Sequence, residues 1–217
     1  MIDILFEDNH LIAVNKKPSD LSQGDDTGDA TLDSEVRKYI ARKYNKPGDV
    51  FLGLVHRLDR PVGGVILFAR TSKALARMNE IFRSRDVKKL YLAIVGERPP
   101  EVEGELTNYL KKNESQNKTY VYDNEVKGSK KASLSYRIAG RSDRYYLLEV
   151  ELHSGRHHQI RAQLAKIGCP IKGDLKYGYP RSNDDGSICL FAQSLEFIHP
   201  VKKEKIVIKA PKPQGDV

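Results

Sequence analysis

Five consecutive apolar residues, Val65-Ile66-Leu67-Phe68-Ala69, follow directly on a loop that contains Pro61 and the pair Gly63-Gly64. The run is too short for a helix of ordinary length and fits a strand buried on both faces. Proline and the two glycines keep the preceding segment out of helix and let its backbone come close to a ligand. At the centre of that segment stands Asp59, between Arg57 and Arg60, with His56 just before. A cation on either side favours the ionised carboxylate. Two readings are open for these residues: a nucleophile or base at the mouth of a buried strand, or an Arg–Asp ion pair at a turn, since structural pairs perturb pKa values too.

The remaining pattern surrounds this stretch with short strands and few helices. Residues 2–6 and 10–15 read as strands with a turn at Glu7-Asp8-Asn9, followed by a polar loop from Ser19 to Asp29. Thr31 is placed to cap a helix with Leu32, Val36, Ile40 and Tyr44 on its apolar side. Its Arg37, Lys38, Arg42 and Lys43 form a wetter side, read as a solvated face ahead of a phosphate-binding one. Thr71-Ser72 opens a second helix with the stripe Leu75, Met78, Phe82, and a cationic segment from Arg83 leads into a strand at 90–95. Between Lys111 and Lys131, lysines surround the alternating run Thr119-Tyr120-Val121-Tyr122. A basic-tipped strand pair is expected there, suited equally to nucleic acid and to plain solvation.

Strands follow at 133–139 and 144–152, the second with Tyr146, Leu148, Val150 and Leu152 on one face. Ser154-Gly155 then leads into a helix with Ile160, Leu164 and Ile167 as its stripe, ended by Gly168 and Pro170. His157 and Arg161 are expected to share a face of that helix, and Arg156 to stand near its anion-attracting start. Strands at 188–197 and 205–209 close the chain. Alternating patterns outnumber helical ones, so the expectation is one α+β domain on a mixed, largely antiparallel sheet with flanking helices.

Composition narrows the class. The 217 residues are 39% hydrophobic and carry a formal charge of +8, which suits a globular protein with a polyanionic partner. The two cysteines, Cys169 and Cys189, form no CxxC pair and no disulfide framework. His153, His157 and His158 lack a carboxylate at HExxH spacing, so no metal site is expected. With neither a signal-like start nor a membrane-length apolar run, the expected location is the cytoplasm.

Three ordered blocks, HRLDR at 56–60, KLYLA at 89–93 and HSGRHHQIRAQLAKIGCPIKGDLKYG at 153–178, resemble the RluA-type family of RNA pseudouridine synthases. With FAQSLEFIHP at 191–200, the similarity extends from about Ile2 to Pro213. The resemblance implies a sheet with a central catalytic cleft, and an isomerase that turns specific uridines of an rRNA or tRNA stem-loop into pseudouridine with base flipping and without a cofactor. It implies Asp59 as the catalytic carboxylate, Tyr91 against the target uracil and Arg161 as the cation facing Asp59. Arg57 matches the residue that fills the gap left by the flipped base, and His56, Arg60, Arg156, His158 and Gln159 join it as expected substrate-binding residues. Residues 1–217 would form the catalytic domain alone, a monomer without the S4 RNA-binding domain of many relatives.

The pattern is not perfect. Val62-Gly63-Gly64 replaces the family's usual Thr-Ser-Gly, His157 its Thr, and Gln163 a common His. Two other classes compete. A glycosidase or nucleoside hydrolase would want a second carboxylate as acid or base. A non-catalytic RNA-binding module would need the charge but none of Asp59, Tyr91 and Arg161.

Overall fold

The glycine pair expected to loosen the loop around Asp59 instead opens a strand. In the computed structural model, which describes residues 2–22 and 31–213, this strand runs from Gly63 to Ala69 and is buried along its whole length. Residues 23–29 of the expected polar loop lie outside the described residues. The strands are β1 (Ile4–Glu7), β2 (Leu11–Lys16), β3 (Gly53–Leu54), β4 (Gly63–Ala69), β5 (Val87–Val95), β6 (Glu103–Asn113), β7 (Lys118–Tyr122), β8 (Lys130–Arg141), β9 (Tyr146–Leu152), β10 (Leu190–Ile198) and β11 (Lys205–Lys209). The helices are α1 (Leu32–Lys43), α2 (Ser72–Ser84) and α3 (Gln159–Lys166), with a 3-10 turn at Leu175–Tyr177. This is the expected α+β class, and the chain falls into two compact units.

The first unit comprises Met1–Val87 and Ala192–Pro211. Asp8 makes the first turn by accepting from the amides of His10 and Leu11, so β1 and β2 pair antiparallel. β2 pairs antiparallel with β4, and β10 with β11. Thr71 caps α2 by accepting from the Ala74 amide, and α2 packs over β3 and β4. Met78 is fully buried there, whereas Phe82 at the end of the stripe stays half-buried.

One expectation for α1 is corrected and another is qualified. Leu32, Val36 and Ile40 are buried, but Tyr44 is 43% exposed, because the helix ends at Lys43 and the Tyr44 hydroxyl reaches out to donate to Glu7. Arg37 on the wetter side is more than a solvated charge: its side chain is 41% exposed, yet its guanidinium donates to the carbonyls of Val50 and Leu52 at 2.7 Å each.

Gly64 makes the close approach that the glycine pair suggested, and the neighbour is protein backbone rather than ligand. Its φ is +111°, and a Cβ would lie 2.2 Å from the Ala192 carbonyl oxygen and 2.6 Å from the Ala192 nitrogen. Gly64→Ala is therefore expected to cost ~3 kcal/mol or more, from left-handed strain and overpacking together. A urea-unfolding midpoint close to wild type would refute it.

The second unit contains Lys88–Phe191. Its strands lie in the order β5-β9-β8-β6-β7, every ladder antiparallel. One face carries Tyr91, Val150 and Tyr136 in register, with Leu134, Leu148 and Leu110 buried beside them. The opposite face carries Glu149, Glu151, Ser135 and Arg137, and a groove there includes none of the expected site residues. α3 packs on β6, β7 and the 3-10 turn.

Candidate functional site

The Asp59 segment is held from inside by its backbone and its apolar side chains, which leaves its charged side chains to face outward. Leu58 and Val62 are buried, at 8% and 2% exposure, while Arg57 and Arg60 are exposed and Asp59 is intermediate. The Ser22 hydroxyl donates to the Leu58 carbonyl, and the Val62 amide donates to the Asp59 carbonyl. From β2, the Lys16 ammonium donates to the carbonyls of Lys17, Arg60 and Val62 at 3.0, 3.0 and 2.7 Å. Those are all three of its N–H bonds, and two of them clamp the loop on either side of Pro61.

Lys16 is 1% exposed, and sequence reasoning missed it, because a lysine in an Asn-Lys-Lys-Pro turn is ordinarily solvated. The available signal was its place at the end of the apolar strand β2, where register sets it opposite Gly64. Burial pushes its pKa down from the usual 10.5 to about 8, against the fields of Asp20 and Asp59. The unfolded chain keeps this proton up to about 10.5, so between pH 8 and 10.5 it binds more protons than the folded chain. Native stability therefore gains from rising pH over that window, and below pH 8 the buried ammonium is a cost. The unfolding free energy of wild type relative to Lys16→Met is expected to rise from pH 8 to 10.5 in urea titrations. A difference independent of pH would contradict this assignment.

His56 is tied to the same unit. Its Nε2 accepts from the Leu67 amide at 3.2 Å, and its ring stacks on Phe82 at 5.2 Å. The histidine thus joins the loop entrance to β4 and α2.

In the second unit, Tyr91 lies on the buried face of β5, 9% exposed and opposite Val150. The block that leads into α3 folds differently from expectation. The helix starts at Gln159, and His158 precedes it in a left-handed conformation with φ +51°. His157 therefore lies outside the helix and does not share a helical face with Arg161. Its ring stacks on His158 at 3.7 Å, and its Nδ1 is 2.8 Å from the Thr119 hydroxyl. That hydroxyl donates to the His157 carbonyl, so the His157 Nδ1 is the donor to Thr119. Ile167 likewise falls just past the helix end.

Tyr177, from the Gly173–Gly178 loop, completes this arrangement. Its oxygen accepts from the Thr119 amide at 2.8 Å and lies within hydrogen-bond distance, 3.0 Å, of the His158 Nδ1. His158 is 9% exposed, and burial followed by the charge of Arg161 pushes its pKa down to about 2, so its ring is neutral at pH 7. Gln159, 3% exposed, accepts from the Arg156 amide and the Ser154 hydroxyl and donates to the Ser133 carbonyl. His158 and Gln159 are engaged within the protein, which sets them apart from the half-buried Arg156, whose Nε donates to the Lys131 carbonyl.

Arg161 is 5% exposed and forms a two-pronged pair with Asp174, Nε to Oδ2 at 2.7 Å and Nη2 to Oδ1 at 2.9 Å. Its guanidinium also lies 5.1 Å from the Tyr177 ring centre. Asp174, 1% exposed, is a partner that sequence reasoning did not anticipate, although it stands within the third block, 153–178. Among the described residues no cluster of three His, Cys, Asp or Glu side chains could hold a metal ion, and no helix is long and apolar enough to cross a membrane.

Comparison with known proteins agrees with the three blocks. The family model described as RNA pseudouridylate synthase matches residues 10–166. The chain is 32% identical over 216 residues to a ribosomal large subunit pseudouridine synthase C of Buchnera aphidicola, covering 96% of this chain and 66% of the relative. It is 30% identical over 229 residues to a tRNA pseudouridine synthase C of Haemophilus influenzae, covering 97% of this chain and 92% of the relative. Human RNA pseudouridylate synthase domain containing 4 has the same fold, with a TM-score of 0.81 at 21% identity, covering 98% of this chain and 89% of that one. The chain spans about two thirds of the length of the first of these relatives. The match over residues 10–166 takes in Asp59, Tyr91 and Arg161, and the chain belongs to the RNA pseudouridylate synthase family.

Proposed function

We propose that the protein is a cytoplasmic RNA pseudouridine synthase, an isomerase that acts as a monomer and takes a uridine in a stem-loop of rRNA or tRNA. The observation that carries the reading is the inward-anchored loop that presents Asp59 between two exposed arginines, in a chain of this family. The reaction breaks the bond from uracil N1 to ribose C1′, turns the base and joins C1′ to C5; C5 then gives up its proton and N1 takes one up. Atoms and charge balance without a co-reactant. Asp59 supplies the carboxylate, either as a nucleophile or as the stabiliser of a cationic centre. Tyr91 packs against the uracil, and Arg161 supplies positive charge in the same reaction.

Arg57 is assigned to the gap left by the flipped base, where its flat guanidinium stacks on neighbouring bases. Planarity then counts, and Arg57→Lys is expected to slow single turnover on a structured stem-loop nearly as much as Arg57→Ala. Lys close to wild type would make Arg57 an ordinary phosphate contact. Arg60 and Arg156 are assigned to the RNA backbone.

Mapping pseudouridine in RNA from cells lacking the gene, before and after incubation with the protein, tests the reading. One or a few restored sites are expected. Free uracil would identify a glycosidase, and unchanged RNA a binding module.

A further inference from the structure

One face of the β6–β7 hairpin carries exposed rings for which the proposed chemistry has no use. Register sets Tyr109 opposite both Tyr122 of β7 and Lys131 of β8, and sets Lys111 opposite Tyr120. Directly opposed residues point to the same side, as do alternate residues of one strand. Tyr109, Tyr120, Tyr122, Lys111, Lys118 and Lys131 therefore share a face. Tyr120 and Tyr122 are 40% and 37% exposed, and the Lys118 ammonium stands 6.0 Å from the Tyr120 ring centre. The reverse face of β7 is bolted down: Thr119 is 3% exposed and bonded to His157 and Tyr177.

Solvation alone accounts for the lysines and not for two adjacent rings on an edge strand. Rings on alternate strand residues stand about 7 Å apart. That is twice the stacking separation of nucleobases, about 3.4 Å, so one base fits between them. The lysines can meet the phosphates of the same strand. Further along this sheet face the charge reverses, with Glu103, Glu105, Glu149 and Glu151 against Lys88 and Arg137, so a favourable footprint for a polyanion ends near Tyr109.

We propose that this face is a stacking platform for unpaired nucleotides of the RNA substrate, distinct from the residues assigned to the chemistry. The proposal rests on the reading of the protein as an RNA enzyme. Its geometric consequence follows from Thr119: the strand that grips RNA on one side is fixed on the other to His157 and Tyr177, next to Arg161.

The test uses the full chain and a fluorescein-labelled 12-nucleotide oligouridylate. Tyr120→Leu/Tyr122→Leu is expected to weaken binding at least ~10-fold, and Tyr120→Phe/Tyr122→Phe to stay within about twofold of wild type, because the rings remain. The chain has no tryptophan, so Tyr120→Trp adds a single reporter whose fluorescence should be quenched as unlabelled oligouridylate stacks on it. A folded Leu variant that binds like wild type would overturn the platform, as would a wild type that does not bind the probe. If the Leu variant fails to fold, an unquenched Trp at saturating oligouridylate overturns it. Wild-type protein that forms no pseudouridine in cellular RNA removes the enzymatic reading, and the oligouridylate measurements still decide the platform. Turnover with unaltered binding by the Leu variant removes the platform alone.

Discussion

Asp59→Asn is expected to abolish pseudouridine formation while RNA affinity stays within a few-fold of wild type. Asparagine keeps the shape of the side chain and removes its charge, so a carboxylate that attacks carbon or stabilises a cation has no substitute. The loop should survive the change. Lys16 and Ser22 hold it through the carbonyls of Leu58, Arg60 and Val62, and Leu58 and Val62 are buried beneath it. The measurements are single-turnover rate, RNA affinity and thermal midpoint, the last expected to stay near that of wild type. A variant with a tenth of wild-type activity has lost only about 1.4 kcal/mol of transition-state stabilisation, too little for an essential nucleophile.

What the sequence revealed, and what it hid, followed from how far each interaction reaches along the chain. The strand Val65–Ala69, the first hairpin and the two best helices were legible, because periodicity and turn residues are local signals. The class of chemistry was legible through motifs whose residues stand within a few positions of Asp59, Tyr91 and Arg161. Lys16 was not, since its meaning depends on carbonyls 44 and 46 residues away. Gly64 was singled out with the wrong neighbour: the pattern pointed to a close backbone approach but could not identify Ala192 as the backbone. His157 was assigned to a helix because helical spacing extrapolates backwards through it. The left-handed His158 interrupts that extrapolation, and Thr119 and Tyr177 hold the two rings where they are.

The pair Arg161–Asp174 alters what removal of Arg161 can mean. Both side chains are buried and bonded through two contacts, so Arg161→Met leaves the Asp174 carboxylate in a dry site without this partner. Breaking such a pair from one side costs about 3–5 kcal/mol, whereas replacing both members by apolar groups is often nearly neutral. Arg161→Met is therefore expected to lose both stability and rate, the rate by at least ~100-fold, as for loss of a charge-stabilising group in an active site. Adding Asp174→Leu separates the two effects. If Arg161 serves only to neutralise Asp174, the double variant regains both the unfolding midpoint and the turnover rate. If Arg161 supplies charge to the reaction, the double variant regains the midpoint and stays slow. We expect the second outcome, because pairing with Asp174 fixes the direction of a guanidinium to which the proposed reaction assigns a charge role. Urea midpoints and single-turnover rates for wild type, both single variants and the double variant form the complete cycle. A double variant with near wild-type turnover would make Arg161 a structural residue and leave the reaction to Asp59 and Tyr91.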